Sequence, residues 1–172
     1  MKKITAIFAA LLMLCAHAET TPAPGAVYKI LTAEDAPTYA VEFADVFSLE
    51  FPVAWQEQPI SPEQTDAGVI ACFSDGAHFV NITLTDDEGI YADTNAYALA
   101  ISENYDSTMV TSLGGTDFVC STDTQSLVSQ CATIIAGAGI YTFRFYPTGD
   151  AEFARTILDI MDSFNIMEVT GQ

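Results

Sequence analysis

Positive charge is nearly missing from this chain. Five Lys and Arg stand against 23 Asp and Glu in 172 residues. Lys2 and Lys3 belong to an N-terminal leader described below, so only Lys29, Arg144 and Arg155 remain beyond it. Three basic against 23 acidic residues leaves a net charge of −20 with histidine neutral. Such a surface repels nucleic acid and anionic membranes, since both require cationic contacts. It attracts cations, or a basic patch on a protein partner. Histidine is equally scarce. Beyond the leader His78 stands alone, which excludes multi-histidine metal sites and leaves one candidate base for a nucleophile. The chain has no Gly-x-Ser-x-Gly elbow, and no Gly-x-x-x-x-Gly-Lys loop to cradle phosphates. No apolar run reaches the roughly twenty residues that a membrane-spanning helix needs.

The one sustained apolar run is short and sits at the start. Ile4 to Cys15 follows Lys2 and Lys3, and Ala16-His17-Ala18 supplies a small-x-small cleavage site. That arrangement predicts a signal peptide over 1–18, and export to the periplasm or the extracellular medium. Cys15 stands where a lipoprotein cysteine would, but Leu14 before it is too large for that motif. Glu19 to Ala26, with Pro22, Pro24 and Gly25, reads as a flexible leader, and 27–172 as a single domain. The 154 residues left after cleavage are enough for one core without metal or disulfide support. No transmembrane segment is expected in the mature chain, and nothing here sets its oligomeric state.

Cys72, Cys120 and Cys131 survive cleavage in a disulfide-permissive compartment. Thr122-Asp123-Thr124-Gln125 is a turn signal between the last two, so strands folding back there would face Cys120 with Cys131 and bridge them. Cys72 is the odd one, read as a buried thiol on a strand.

Apolar residues mostly alternate at period two. Ala44 to Phe51 reads as a strand closed by Pro52. Gly68 to Phe73 and His78 to Leu84 read as two more, joined at Asp75-Gly76. A helix follows, capped at Asp93 or Thr94, with Tyr97, Ile101 and Tyr105 on one face. Thr116 to Cys120, Leu127 to Ile135 and Ile140 to Tyr146 continue the strands. Asp150 caps a closing helix whose stripe is Phe153, Ala154, Ile157, Leu158 and Met161, ended by Phe164. The fold class is therefore α+β: a central antiparallel β-sheet covered by helices.

Phe47-Ser48-Leu49-Glu50-Phe51-Pro52-Val53-Ala54-Trp55 is similar to the strand-Pro-x-x-Trp opening of PsbP-like domains. The middle helix, the three-strand meander and the closing Ile157-Leu158-x-x-Met161-x-x-Phe164 helix resemble that family too, over most of 40–166. The resemblance implies an α/β/α sandwich. It also implies a binding or assembly protein, since members include an accessory subunit of the photosynthetic oxygen-evolving complex and a nuclear-import factor. No functional residue of the family maps onto this chain.

The candidate residues are few. His78 shares a strand face with Val80 and Ile82, and reads as a core-edge residue rather than a catalyst. A Cys72–His78 pair would fail if the two lie on opposite sheet faces. Asp86, Asp87, Glu88 and Asp93 offer oxygen ligands for Ca²⁺, although their spacing departs from the EF-hand pattern. A solvated loop is the simpler reading, and no cofactor is expected. Arg144 with Tyr146 beside it is the best anchor for an anionic ligand, against simple pairing with a local carboxylate. Trp55 reads as core, against a sugar-stacking platform. Together these predict an exported, non-enzymatic binding domain with a protein partner. The alternative is a small-ligand or divalent-cation binder using loop 86–93, and a hydrolase ranks below both.

Overall fold

A computed structural model describes residues 28–31, 36–86 and 89–167. Near its start, three segments alternate apolar and polar residues and each forms a strand: β1 (Tyr28–Leu31), β2 (Thr38–Phe43) and β3 (Phe47–Pro52). Period two sends Tyr39, Val41 and Phe43 of β2 to one buried face, with Phe47, Leu49 and Phe51 of β3 beside them. Ala44 and Asp45 join the two strands in left-handed conformation, and the Val46 N–H donates to the Phe43 carbonyl at 2.8 Å. A turn of this hand matches the twist of a hairpin. A two-residue strand near the end, Asn165–Ile166, pairs with β3 and completes a four-stranded antiparallel sheet.

Seven more strands form a second antiparallel sheet: β4 (Gln56–Glu57), β5 (Val69–Ser74), β6 (Phe79–Thr85), β7 (Ser107–Leu113), β8 (Thr116–Asp123), β9 (Val128–Ile135) and β10 (Gly139–Tyr146). Their order is β4-β5-β6-β10-β9-β8-β7. Register places Phe73, Val80, Ile82, Phe118, Tyr141, Phe143 and Phe145 on one face. That face meets the smaller sheet, and Phe47 is the hinge of the contact. Its ring stacks on Phe43 and Phe164, and sets its edge against Tyr141 and Phe143.

Three α-helices are described: α1 (Pro62–Asp66), α2 (Thr94–Ile101) and α3 (Ala151–Asp162). α1 and α2 bury no residue, whereas α3 buries Phe153, Ile157, Ile160 and Met161. The predicted α/β/α sandwich is thus not what forms. Most of the cover on the larger sheet comes from a second sheet with α3 beside it. The cause lies in residues 28–52, whose alternating Tyr39, Val41, Phe43, Phe47, Leu49 and Phe51 already supply a complete apolar face. A sheet with that face occupies the place a helical layer would have taken. On the opposite side α2 lies against β7 and β8, with Tyr105 donating to Gln130 Oε1 at 2.8 Å.

Several local expectations match. β5 and β6 form the hairpin at Asp75, Asp93 caps α2 and Asp150 caps α3. The stripe on α3 differs from the expected one: Leu158 is 54% exposed, and Ile160 is buried instead. The segments predicted as signal peptide (1–18) and flexible leader (19–26) lie outside the described residues. Among those described, no helix is long and apolar enough to cross a membrane.

Candidate binding cleft

A cleft of about 530 Å³ opens where the β8–β9 turn, the loop before α3 and α3 itself converge. Leu127, Val128, Ala151, Ala154 and Ile157 give it an apolar lining, while Thr122, Asp123, Thr124, Thr148 and Asp150 bring polar groups. Each wall is fixed locally. Asp123 Oδ1 accepts from the Gln125 and Ser126 N–H groups, which shapes the turn. Asp106, just before β7, takes both the N–H and the hydroxyl of Thr124 on one carboxylate oxygen. Asp150 Oδ1 accepts from the Glu152 N–H as the cap of α3. The Thr148 N–H donates to the Leu127 carbonyl at 2.7 Å, tying loop to turn. Hydrogen bonds from Thr124 hold the Asp106 carboxyl below its ordinary value, and those from Ser126 do the same for Asp123. Both stay ionised at neutral pH.

Leu127 is the unusual member. Its φ of 53° is left-handed, a conformation that costs a non-glycine residue roughly 1–2 kcal/mol. Yet the side chain is 47% exposed, so burial does not compensate for that cost. Strain of this kind concentrates where a side chain must be presented to a ligand.

The residues singled out in the sequence lie elsewhere. Trp55 is core, 3% exposed, and stacks on Phe153 at 6.1 Å. A buried ring offers no platform to a sugar. Arg144 and Tyr146 do share the outer face of the larger sheet, where Tyr146 stacks on Phe79 at 5.6 Å and Arg144 is exposed. Arg144 forms no ion pair within 4.0 Å among the described residues, and its charge is felt by Asp123. Of the acidic loop, Asp87 and Glu88 lie outside the described residues. Asp93 gives one oxygen to the Ala96 N–H as the cap of α2. Asp86 lines a separate hollow with Leu84 and residues 137–139. Among the described residues, no group of three His, Cys, Asp or Glu is placed to hold a metal ion.

His78 falls on the core face as expected. Its ring stacks on Phe153 at 3.9 Å, and Nδ1 meets Asp75 Oδ2 at 3.0 Å. Cys72 pairs with Asn81 on the opposite face, so no Cys–His couple exists. Burial pushes the Cys72 thiol up. Asp75 joins the turn to this ring: its Oδ1 also takes the Ala77 and His78 N–H groups at 2.8 and 2.7 Å. Burial pushes its carboxyl up, but the bonds from the His78 ring and from both backbone groups outweigh burial and hold it below the ordinary value. A depressed folded-state pKa contributes stability above the unfolded value, lost as pH falls through the folded one. Wild type should therefore lose its advantage over Asp75→Asn as pH drops below about 4. Thermal unfolding across pH 3–7 checks this, and a parallel pair of curves would refute it.

Cys120 and Cys131 are directly paired across β8 and β9, with their sulfurs 3.1 Å apart. The hydrogen bond from Cys131 lowers the Cys120 thiol, and the same bond together with burial raises Cys131. The strand register holds the two thiols side by side, placed for oxidation to a bridge. Expressed into an oxidising compartment, the chain should be about 2 Da lighter than its dithiothreitol-treated form, and reduction should cost roughly 3 kcal/mol for a loop of this length. An unchanged mass would show that both thiols stay free.

Comparison with protein-family models and with curated proteins finds no match for this chain.

Proposed function

We propose that this chain is an exported, non-enzymatic binding domain whose cleft receives an apolar, positively charged segment of an envelope or extracellular protein. The observation that carries the reading is Leu127, a large apolar side chain held in strained backbone and left half exposed at the lip of the cleft. Asp123 and Asp150 bring two carboxylates to the same cleft, each fixed by backbone N–H groups of its own loop. An apolar floor with an anionic lip favours a segment mixing Leu, Ile or Phe with Lys or Arg. The surrounding charge of a chain with 23 acidic residues draws such a segment in. Export by a leader over 1–18, as the sequence leads one to expect, would bring the domain to such partners.

The test is a random-peptide display selection on the secreted chain, followed by titration of the recovered peptides against wild type and Leu127→Gly. Glycine adopts the left-handed conformation freely, so relief of strain offsets the lost packing. The variant should unfold within about 1 kcal/mol of wild type. Its affinity for peptides combining basic and apolar residues should fall at least tenfold, which is about 1.4 kcal/mol. Peptides without that composition, or equal binding by Leu127→Gly, would remove the cleft as the site.

A further inference from the structure

Half of the cleft lining belongs to one stretch of chain. Thr122, Asp123, Thr124, Leu127, Val128 and Ser129 all line it, and all lie between Cys120 and Cys131. The two cysteines are opposite each other in the β8–β9 ladder, and Thr122 faces Ser129 two residues nearer the turn. Side chains two residues apart on a strand share a face, so the sulfurs sit one rung behind a pair that lines the cleft. Past that rung comes one further ladder pair, Asp123 with Val128, and then the turn at 124–127. The turn is held at the surface, by Asp123 on the Gln125 and Ser126 N–H groups and by Asp106 on Thr124. It also carries the left-handed strain of Leu127. Exposed bonds of this kind open locally at little cost in free energy.

We infer that the Cys120–Cys131 couple is a redox latch on the cleft, with the bridged form the one that binds a partner tightly. The inference rests on the cleft being the binding site. Cys120 is partly exposed, so the couple exchanges with small disulfides and dithiols in solution. A low-molecular-mass disulfide such as oxidised glutathione is the oxidant. One thiolate of the pair attacks it and releases a first thiol, and the second cysteine then displaces the other. The Cys120–Cys131 bond forms as the external S–S bond breaks, two electrons pass to glutathione, and the two cysteine protons end on the thiols released. A dithiol reverses the exchange. The ring closed by the bridge contains the whole hairpin wall of the cleft, so it removes open conformations of the turn before a partner arrives. Reduction restores them, and a partner must then order the turn as it binds, which lowers affinity.

Hydrogen–deuterium exchange of the chain, equilibrated with oxidised glutathione or with dithiothreitol, tests the latch without any partner. The Gln125, Ser126 and Thr148 N–H groups, which hold the turn and tie it to the opposite wall, should exchange at least tenfold faster in the reduced form. Acceleration confined to the sheet core, with these three unchanged, would show that the bridge stabilises the domain as a whole and would overturn the latch. A peptide of alternating leucine and lysine is then titrated against both forms, and the bridged one should bind at least tenfold more tightly. Equal binding would overturn the latch and leave the cleft as the site. Binding by neither form would count against the cleft as the site, and the exchange rates alone would then decide the latch. Cys72→Ala should keep both redox effects, since Cys72 lies on the opposite face of the larger sheet. Their loss in that variant would assign the redox response to Cys72 and overturn the couple.

Discussion

Replacing Phe47 by alanine should lower stability by about 3–5 kcal/mol, among the largest effects of any single truncation in this chain. Phe47 is fully buried, and among the described residues no other ring meets as many aromatic neighbours. Its centroid lies 4.7 Å from Phe43, 4.9 Å from Phe164, 4.8 Å from Tyr141 and 5.8 Å from Phe143. Those partners come from the smaller sheet, the larger sheet and the segment after α3. A cavity at Phe47 therefore removes contacts between layers rather than within one, and no single element can collapse to fill it. For a domain of this size the loss amounts to roughly 6–20 °C in Tm. Leu158→Ala is the control. Its side chain is 54% exposed, and the substitution should stay within about 0.5 kcal/mol. Thermal or urea unfolding of the two variants decides the matter. Equal small losses would mean that the sheets are not joined through Phe47.

Local chemistry made parts of this fold readable from sequence. Asp75-Gly76, Asp93 and Asp150 each act on backbone groups two or three residues away, so their turn and caps follow from short-range rules. Cys120 and Cys131 do face each other, but across a turn at 124–127 that sits two residues later than the predicted Thr122-Asp123-Thr124-Gln125, whose first two residues belong to β8. What was not readable depends on distance along the chain. Thr38–Phe43 alternates as clearly as any strand, yet nothing in it says that its apolar face will cover another sheet in place of a helix. On α3, Leu158 and Ile160 are equally apolar, and only the direction of the surrounding layers buries the second. The cleft is harder still. Its walls come from β8, β9 and α3, and the left-handed backbone at Leu127 has no marker, since Gly or Asn would be the usual residue there. Arg144, the most conspicuous cation in the sequence, lies exposed on an open strand face and takes no part in the cleft lining.

Gly114→Ala should destabilise the domain by on the order of 3–4 kcal/mol, and Gly115→Ala by only about 1–2 kcal/mol, although the two are neighbours in one turn. Both have positive φ, 56° and 79°, as the two-residue link between β7 and β8 requires. Any Cβ there meets the same left-handed penalty. The difference is what surrounds them. A Cβ on Gly115 would meet nothing within 4 Å, whereas one on Gly114 would collide with the Phe164 carbonyl oxygen and lie 2.9 Å from that of Asp162. These are backbone atoms at the end of α3, fixed by the Ser163 and Phe164 N–H bonds to residues 159–161, so they cannot rotate aside. The Gly114 N–H also donates to Asp162 Oδ1 at 3.1 Å, a bond that a displaced turn would break. Subtracting the Gly115 loss from the Gly114 loss in urea unfolding isolates the docking of this hairpin on the helix end. Equal losses would mean that the turn responds to its own backbone strain alone. A larger loss at Gly114 would identify the close approach of the β7–β8 hairpin to the end of α3 as a contact that locks the edge of the larger sheet to the layer beneath it.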